Sequence, residues 1–463
     1  KNGELKAIVA TASLELGIDI GYIDLVCQIG SPRNIAVFLQ RIGRSGHAVG
    51  ALPKGRIFPV TRDELLESMA LIRAVKNRKL DQIIIPENPL DILAQQIIAI
   101  AACEEVSADE LYELSRQSWS FKDLSREQFD ATLLMLAEGV NPQNRQGAYI
   151  HFDRINNLIR ARKHARIAAL TSGGAIPENA DYRVVTEDGT YVGGVNEDFA
   201  IESLRGDVFI LGTTSWRIMN VRGTTMTVQD AQGAAATIPF WFGEAPGRSI
   251  ELSQELCDVR EEISQKLKEK LKPKIIKELS VDYHMSEDSA EQAMTYIDSQ
   301  INATGILPTL KNIVFERFFD ETGGMQLVVH SPFGSRVNRA WGLAMRKRFC
   351  RGFNFELQAS ADENGFLLSL GPQQSFPLED MFSLVPKNVA KKTLEQALLA
   401  VPVFQIRWRW NATRALAVLR QRGGKRVPPA LQRFKADDLL TSVFPQSTAC
   451  LEHITGDIEI PTE

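Results

Sequence analysis

Two arginines three residues apart, Arg41 and Arg44, lie in the run Gln40-Arg-Ile-Gly-Arg-Ser-Gly-His47, downstream of a second distinctive run, Thr11-Ala-Ser-Leu-Glu-Leu-Gly-Ile-Asp19. A guanidinium is planar and always charged, so it suits the equatorial oxygens of a phosphoryl group in transfer; supplied across an interface, it is worth about 10³ to 10⁵ in rate. The bland alternative is a helix end with surface arginines. Against it, both runs fall at a sensible separation on a strand-loop-helix framework. The sequence contains no Gly-x-x-x-x-Gly-Lys-Thr loop to cradle phosphates and no acidic box to hold magnesium, and Lys54-Gly55-Arg56 is no substitute. This chain alone is expected not to hydrolyse a nucleotide.

The two runs resemble motifs V and VI of superfamily 2 helicases. In such enzymes these motifs lie on the second of two RecA-like domains and face the ATP bound by the first. The resemblance implies that Arg44 is an arginine finger and that Gln40 and Arg41 orient the nucleotide and the interdomain contacts. It also places Gly17 and Asp19 near the ribose and Thr11 on the nucleic-acid backbone. The last position of the family motif usually holds another arginine; here it is His47, a weaker and titratable donor, which puts a second finger in doubt.

The charge distribution points the same way. At 463 residues, with 44% hydrophobic and 24% charged residues, the chain has the composition of a packed multidomain protein of about three domains and excludes a disordered or collagen-like one. Its net charge of -4 conceals two windows without acids. Ser331 to Phe355 carries Arg336, Arg339, Arg346, Lys347, Arg348 and Arg351, and Gln405 to Lys435 carries nine further basic residues. A merely solvated face mixes both signs, so these windows suggest a phosphate-facing surface, with Arg336 and Arg339 as candidate contacts. Either could instead pair with acids of the same chain. The five cysteines are widely separated and have no metal-ligand spacing, so no metal site is expected; reduced thiols and a cytoplasmic setting are. No apolar run is long enough to span a bilayer, and the chain begins at Lys1 without a targeting segment.

Four stretches of sequence must position these residues. Ala7 to Ala10, Asp24 to Gln28 and Ile57 to Val60 alternate with helical stretches from Asn34 and Asp63, as in part of a parallel-sheet domain that begins in mid-fold. Past Pro86-Glu-Asn-Pro-Leu-Asp91 come three short helices, with capping pairs Ser107/Glu110 and Ser125/Gln128. They are followed by strand-like Ala148 to Phe152 and Ile167 to Leu170, an order that suits a winged helix or a small helical linker. From Tyr182 to Trp241 short candidate strands alternate with glycine turns; Leu252 to Ile306 is helical. Two strands, a basic helix near Ser335 to Arg348 and a hairpin with Asn364-Gly365 at its tip complete the pattern. Trp216, after a polar turn and before Arg217, is a candidate for stacking on a base beside a phosphate contact, with a buried core indole as the alternative. Core roles are expected for Trp241, Trp341, Trp408 and Trp410. Val337, Trp341 and Met345 share a helical face, and Arg407 to Trp410 alternates as a half-buried strand would, with its arginines outward.

Five segments narrow the family: Ile210-Leu-Gly-Thr-Thr-Ser-Trp-Arg-Ile218, Ile238-Pro-Phe-Trp-Phe-Gly-Glu244, Gly247-Arg-Ser249, His330-Ser-Pro-Phe-Gly-Ser-Arg-Val-Asn-Arg-Ala-Trp-Gly-Leu343 and Arg409-Trp-Asn-Ala-Thr-Arg-Ala-Leu416. Together they resemble the Lhr (large helicase-related) family over essentially the whole chain. The resemblance implies a multidomain α/β and α+β fold: a partial second RecA-like domain over 1–85, a winged helix over 86–171 and a large β-rich accessory (DEAD/DEAH-associated) domain with helices over 172–463. It implies further chain at both ends, ATP and Mg²⁺ bound mainly by a first RecA-like domain, and 3′-to-5′ DNA helicase or translocase activity linked to DNA repair. Single-stranded or 3′-tailed DNA is the expected partner, RNA–DNA hybrid a further candidate, and a membrane is not expected. The rival reading is a stand-alone nucleic-acid-binding or interaction module with vestigial helicase motifs.

Overall fold

The computed structural model describes residues 6–10, 23–46, 50, 52–140, 147–177, 179–239, 246–321, 323–353, 357–370, 377–422, 424–448, 457, 458 and 460. The chain forms two compact units, Lys1–Ile83 with Ala245–Ala397 and Ile84–Glu244 with Leu398–Glu463. Residues 172–463 thus contribute to both.

In the first unit, strands Val26–Ile29 and Gly55–Phe58 pair in parallel, Val26 opposite Gly55, with helix Ile35–Ile42 between them and helix Arg62–Lys76 after them. Thr61 caps the second helix by accepting from the Glu64 N–H at 3.2 Å; Asp63 and Glu64 in its first turn and Arg73 and Lys76 in its last complement the helix dipole. Ala7–Ala10, expected as a strand, is exposed and outside any ladder, with Val9 fully exposed. Among the described residues no strand lies beside it to take up its N–H and C=O groups.

Helix Arg62–Lys76 buries Leu65, Leu66, Met69, Ala70, Leu71 and Ala74 against three helices from far along the chain, Ile250–Glu269, Lys272–Asp282 and Glu287–Thr304. Leu252, Leu256, Val259, Ile263, Leu279 and Ile297 meet it there. The small parallel layer therefore buries its apolar helix on helices. The same seam is ionic at its rim: Arg73 reaches Glu262 at 2.8 Å and the fully buried Glu255 at 3.2 Å, and Lys79 also pairs with Glu255. Burial pushes the Glu262 carboxyl up, but hydrogen bonds from Lys266 and Tyr283 outweigh it and hold the group below its ordinary range. A lowered carboxyl stabilises the fold above its unfolded value, about 4.3, and that contribution disappears as pH falls through the lower folded value. Glu262→Gln is accordingly expected to lower the thermal midpoint at pH 7, by a margin that narrows below about pH 4. A margin independent of pH would contradict this.

The rest of the first unit is an antiparallel sheet in the order Val314–Phe319, Met325–His330, Gly365–Leu370, Leu357–Ala361, covered by helix Ser335–Phe353. Met345 and Phe349 pack on Met325, Leu327, Val329 and Leu368. Gly365 pairs with His330 where an added Cβ would lie 2.4 Å from the Val329 carbonyl oxygen, so only glycine allows this closeness.

In the second unit, helices Leu90–Ala101, Ala108–Arg116 and Arg126–Glu138 pack on a three-stranded sheet ordered Val106–Ser107, Leu158–Ala161, Ile150–Asp153, a winged-helix arrangement. The capping box at Ser125 and Gln128 forms; Ser107 accepts instead from the Asp109 N–H at 3.2 Å. Ile167 to Leu170, read as a strand, lies inside helix Ala165–Ser172. Ala165, Ala168 and Ser172, at helical spacing, are its buried residues, while Ile167 and Leu170 face outward. A five-stranded sheet follows, ordered Tyr191–Asn196, Asp181–Thr186, Thr225–Asp230, Thr214–Arg222, Val208–Leu211.

The segment Arg407 to Trp410, expected as a half-buried strand, is part of helix Pro402–Arg414. Pro402 presets the first turn, and Ile406 and Arg409 are buried at helical spacing. Arg409 does not point outward: it pairs with Glu197 at 2.6 Å, both side chains less than a tenth exposed. Trp408 takes the expected packed position and donates its Nε1–H to the Ala436 carbonyl at 2.7 Å.

Candidate nucleotide and nucleic-acid interface

The arginine-bearing helix is held to its strand by polar side chains. Asn34 caps it, accepting from the Val37 N–H at 2.9 Å, and the Asp81 carboxylate accepts from the Ala36 N–H at 2.7 Å. Gln28, buried at the end of strand Val26–Ile29, donates to the Ile29 and Gly30 carbonyls at 3.0 and 3.2 Å. Its Oε1 accepts from Arg41 Nη1 at 2.9 Å, which orients Arg41 along the strand end. The helix stops at Gly43, and Arg44 follows on a tight turn in which its N–H donates to the Arg41 carbonyl at 3.1 Å.

Ser45 and Gly46 fix that turn. The fully buried Ser45 hydroxyl donates to the Ile42 carbonyl at 2.7 Å and accepts from the Lys54 N–H at 2.7 Å. Gly46 adopts φ +67° beside the Leu52 carbonyl, 3.0 Å from where a Cβ would be. Gln40 is exposed and Arg44 half-exposed, so the structure gathers Gln40, Arg41 and Arg44 at one helix end. Thr11, Gly17, Asp19 and His47 lie outside the described residues.

Arg336 and Arg339 are exposed on helix Ser335–Phe353, whose opposite side carries Met345 and Phe349 in the core and Trp341 against it. Trp341 sits edge-on to Phe315, ring centroids 6.1 Å apart. Val337, expected on the core face, is 44% exposed; the buried position is its neighbour Asn338, which exchanges hydrogen bonds with Ser331 and donates to the Asp362 carbonyl. Trp216 is half-buried on strand Thr214–Arg222, packed against the rim of its sheet's core, with Nε1–H donated to the Leu211 carbonyl at 3.3 Å. Arg217 beside it is exposed and reaches the Gly206 carbonyl at 3.2 Å. Trp241 lies outside the described residues.

Two features escaped the sequence reading. Trp119, 65% exposed on the winged helix, carries the Lys122 ammonium 4.1 Å above its ring; its flanking Ser118, Ser120 and Lys122 are the polar signal that could have exposed it. The second is the buried Arg248. It pairs with Glu67 at 3.2 Å and donates to Ser253 Oγ, Asn364 Oδ1 and the carbonyls of Pro332 and Glu363. One guanidinium so joins two of the segments that marked the sequence, Gly247-Arg-Ser249 and, through Pro332, His330 to Leu343, to the Asn364 hairpin tip. Among the described residues no cluster of three His, Cys, Asp or Glu could hold a metal, and no helix is long and apolar enough to cross a membrane.

Three family models match: the helicase conserved C-terminal domain over residues 1–49, the large helicase-related protein winged helix domain over 73–238, and the DEAD/H associated family over 307–453. The chain is 35% identical to the Lhr helicase/uracil glycosylase of Escherichia coli, over 95% of this chain and 29% of that protein. It is 31% identical to the ATP-dependent helicase Lhr-Core of Saccharolobus solfataricus, over 99% of this chain and 53% of that protein. A solved structure of the Mycobacterium smegmatis helicase Lhr, described as bound to ssDNA and AMP-PNP, matches with a TM-score of 0.71 and 29% identity over 95% of this chain and 52% of that one. The chain spans about half or less of the length of these relatives.

Proposed function

Because the chain belongs to the Lhr helicase family, carrying its helicase C-terminal, winged-helix and DEAD/H-associated segments in order, we propose that it is the C-terminal part of an ATP-dependent 3′-to-5′ DNA helicase or translocase acting in DNA repair. In this reading residues 1–85 belong to the second RecA-like domain, 86–171 to the winged helix and 172–463 to the accessory domain, whose packing is shared between the two units. Arg44 is the arginine finger, and Gln40 and Arg41 stand beside it at the nucleotide. The observation that carries the reading is the helix end that gathers Gln40, Arg41 and the half-exposed Arg44, where Gln28 holds the Arg41 side chain and Ser45 fixes the turn. A guanidinium on a rigid turn is prepared for a charge that develops elsewhere.

The residues present fit ATP as contributors rather than as its main cradle. ATP with Mg²⁺ supplies a phosphoanhydride whose hydrolysis releases free energy. Arg44 would stabilise charge on the phosphoryl oxygens, and Gln40 would orient against the nucleotide. Thr11, Trp216, Arg217, Arg336 and Arg339 would hold the nucleic acid, the last three through phosphates and Trp216 through a base. Gly17, Asp19 and His47 complete the proposed nucleotide contacts. A cytoplasmic setting belongs to the same reading, and in it the cysteines stay reduced.

This chain alone is expected to bind single-stranded DNA without ATP turnover, with an affinity that falls steeply from about 50 to 200 mM salt if several phosphates are neutralised. Fluorescence anisotropy with labelled single strands checks this; no binding at low salt would count against the reading. Trp216→Ala is expected to weaken the same binding by about 1 to 3 kcal/mol while the thermal midpoint stays close to that of the parent chain. A large drop in midpoint with unchanged affinity would make the indole a core residue only.

A further inference from the structure

The loop that leads into the arginine-bearing helix, Ser31 to Arg33, is gripped by two carboxylates from different parts of the chain. Ser31 Oγ donates to Glu67 on helix Arg62–Lys76, the partner of the buried Arg248. Arg33, immediately before the cap Asn34, donates from Nη1 to Glu363 Oε1 at 3.1 Å, and its carbonyl accepts from the Ser249 N–H at 3.0 Å. Its backbone is held at φ +60°, a conformation an arginine keeps only where its surroundings impose it.

Glu363 also binds the start of the basic helix. Its Oε1 accepts from Ser335 Oγ at 2.9 Å, and its Oε2 accepts from the backbone N–H groups of Ser335 at 2.8 Å and Arg248 at 3.1 Å. A carboxylate at a helix N-terminus is favourably placed against the helix dipole, so this one serves two partners at once. On one side it fixes the residue before the helix of Gln40, Arg41 and Arg44; on the other it fixes the helix of Arg336 and Arg339. Close packing leaves no slack: at Gly334 an added Cβ would lie 2.8 Å from the Arg248 carbonyl, and at Gly247 one would lie 2.9 Å from Ser335 Oγ.

We propose that the Arg33–Glu363 pair, braced by Arg248, is a positioning link that transmits DNA engagement of the basic helix to the arginine-bearing helix. The proposal rests on the functional reading above, because it needs Arg44 at a nucleotide and Arg336 and Arg339 at a strand. The link touches neither ligand. Its loss leaves each end competent and uncouples them, which is the signature of a coupling free energy rather than of a contact.

The test uses the full-length protein and three readings: ATP turnover without DNA, ATP turnover with saturating single-stranded DNA, and DNA affinity. Arg33→Ala alters a half-exposed side chain and keeps the fold, and Glu363→Gln keeps the shape of the bridging group while removing its charge. Both variants are expected to retain basal turnover and DNA affinity, whereas the stimulation by DNA drops by about 5- to 150-fold. Arg33→Lys, which restores a cation, is expected to recover part of the stimulation. Wild-type stimulation in both variants overturns the link and leaves the helicase reading standing. A wild-type protein whose turnover does not respond to DNA overturns that reading, and the link with it.

Discussion

Arg44→Ala in the full-length protein is expected to lower DNA-stimulated ATP hydrolysis by about 10³-fold or more while the affinity for single-stranded DNA changes little. The asymmetry follows from where the guanidinium acts. It stands on a turn beyond the helix end, with the backbone locked by Ser45 and Gly46, and in the proposed role it stabilises charge that exists only as the phosphoryl group transfers. Arg44→Lys keeps a charge but loses the planar fork, so only a fraction of the rate should return. Steady-state turnover with and without DNA measures both variants. Normal turnover in Arg44→Ala would remove the finger assignment.

Arg248→Ala is expected to destabilise the first unit by about 3 to 5 kcal/mol, among the largest effects of any single change in this chain. The side chain is 1% exposed and its partner Glu67 6% exposed, so truncation leaves an uncompensated carboxylate in the interior. The acceptors on Asn364, Pro332 and Glu363 lose their donor at the same time. Urea unfolding followed by tryptophan fluorescence checks this through Trp341, which lies in the same unit. A loss below about 1 kcal/mol would mean that the site relaxes or admits water.

Much of the fold was legible where short-range signals dominate. The alternation around Asn34, the capping box at Ser125 and the Asn364-Gly365 hairpin each depend on neighbours a few residues away, and each formed. Arg248 was invisible as a hub because its partners Glu67 and Asn364 lie 181 and 116 residues away in sequence. In the sequence it stands only within the family segment Gly247-Arg-Ser249. Alternation over Arg407 to Trp410 is too short to separate a strand from a helix, and the buried Glu197 that turns Arg409 inward is supplied by a distant part of the chain. At Val337 the helical face was read one residue off, because a buried asparagine took the place an apolar residue usually holds.

The candidate site was legible in kind more than in arrangement. Gln40, Arg41 and Arg44 could be singled out by residue type and spacing, but the role of Gln28 in orienting Arg41 needs the parallel pairing of Val26–Ile29 with Gly55–Phe58. Trp216 lies between its two readings, its indole half-buried and its neighbour Arg217 in solvent, because it packs against the core of its sheet without entering it.

ATP-dependent unwinding by the full-length protein, compared on duplexes with a 3′ tail, a 5′ tail and no tail, tests the helicase reading most directly. Unwinding confined to the 3′-tailed duplex and abolished by Arg44→Ala is the expected result. Tight DNA binding with no ATP-dependent strand separation on any of the three would contradict it and favour a binding module whose helicase motifs are vestigial.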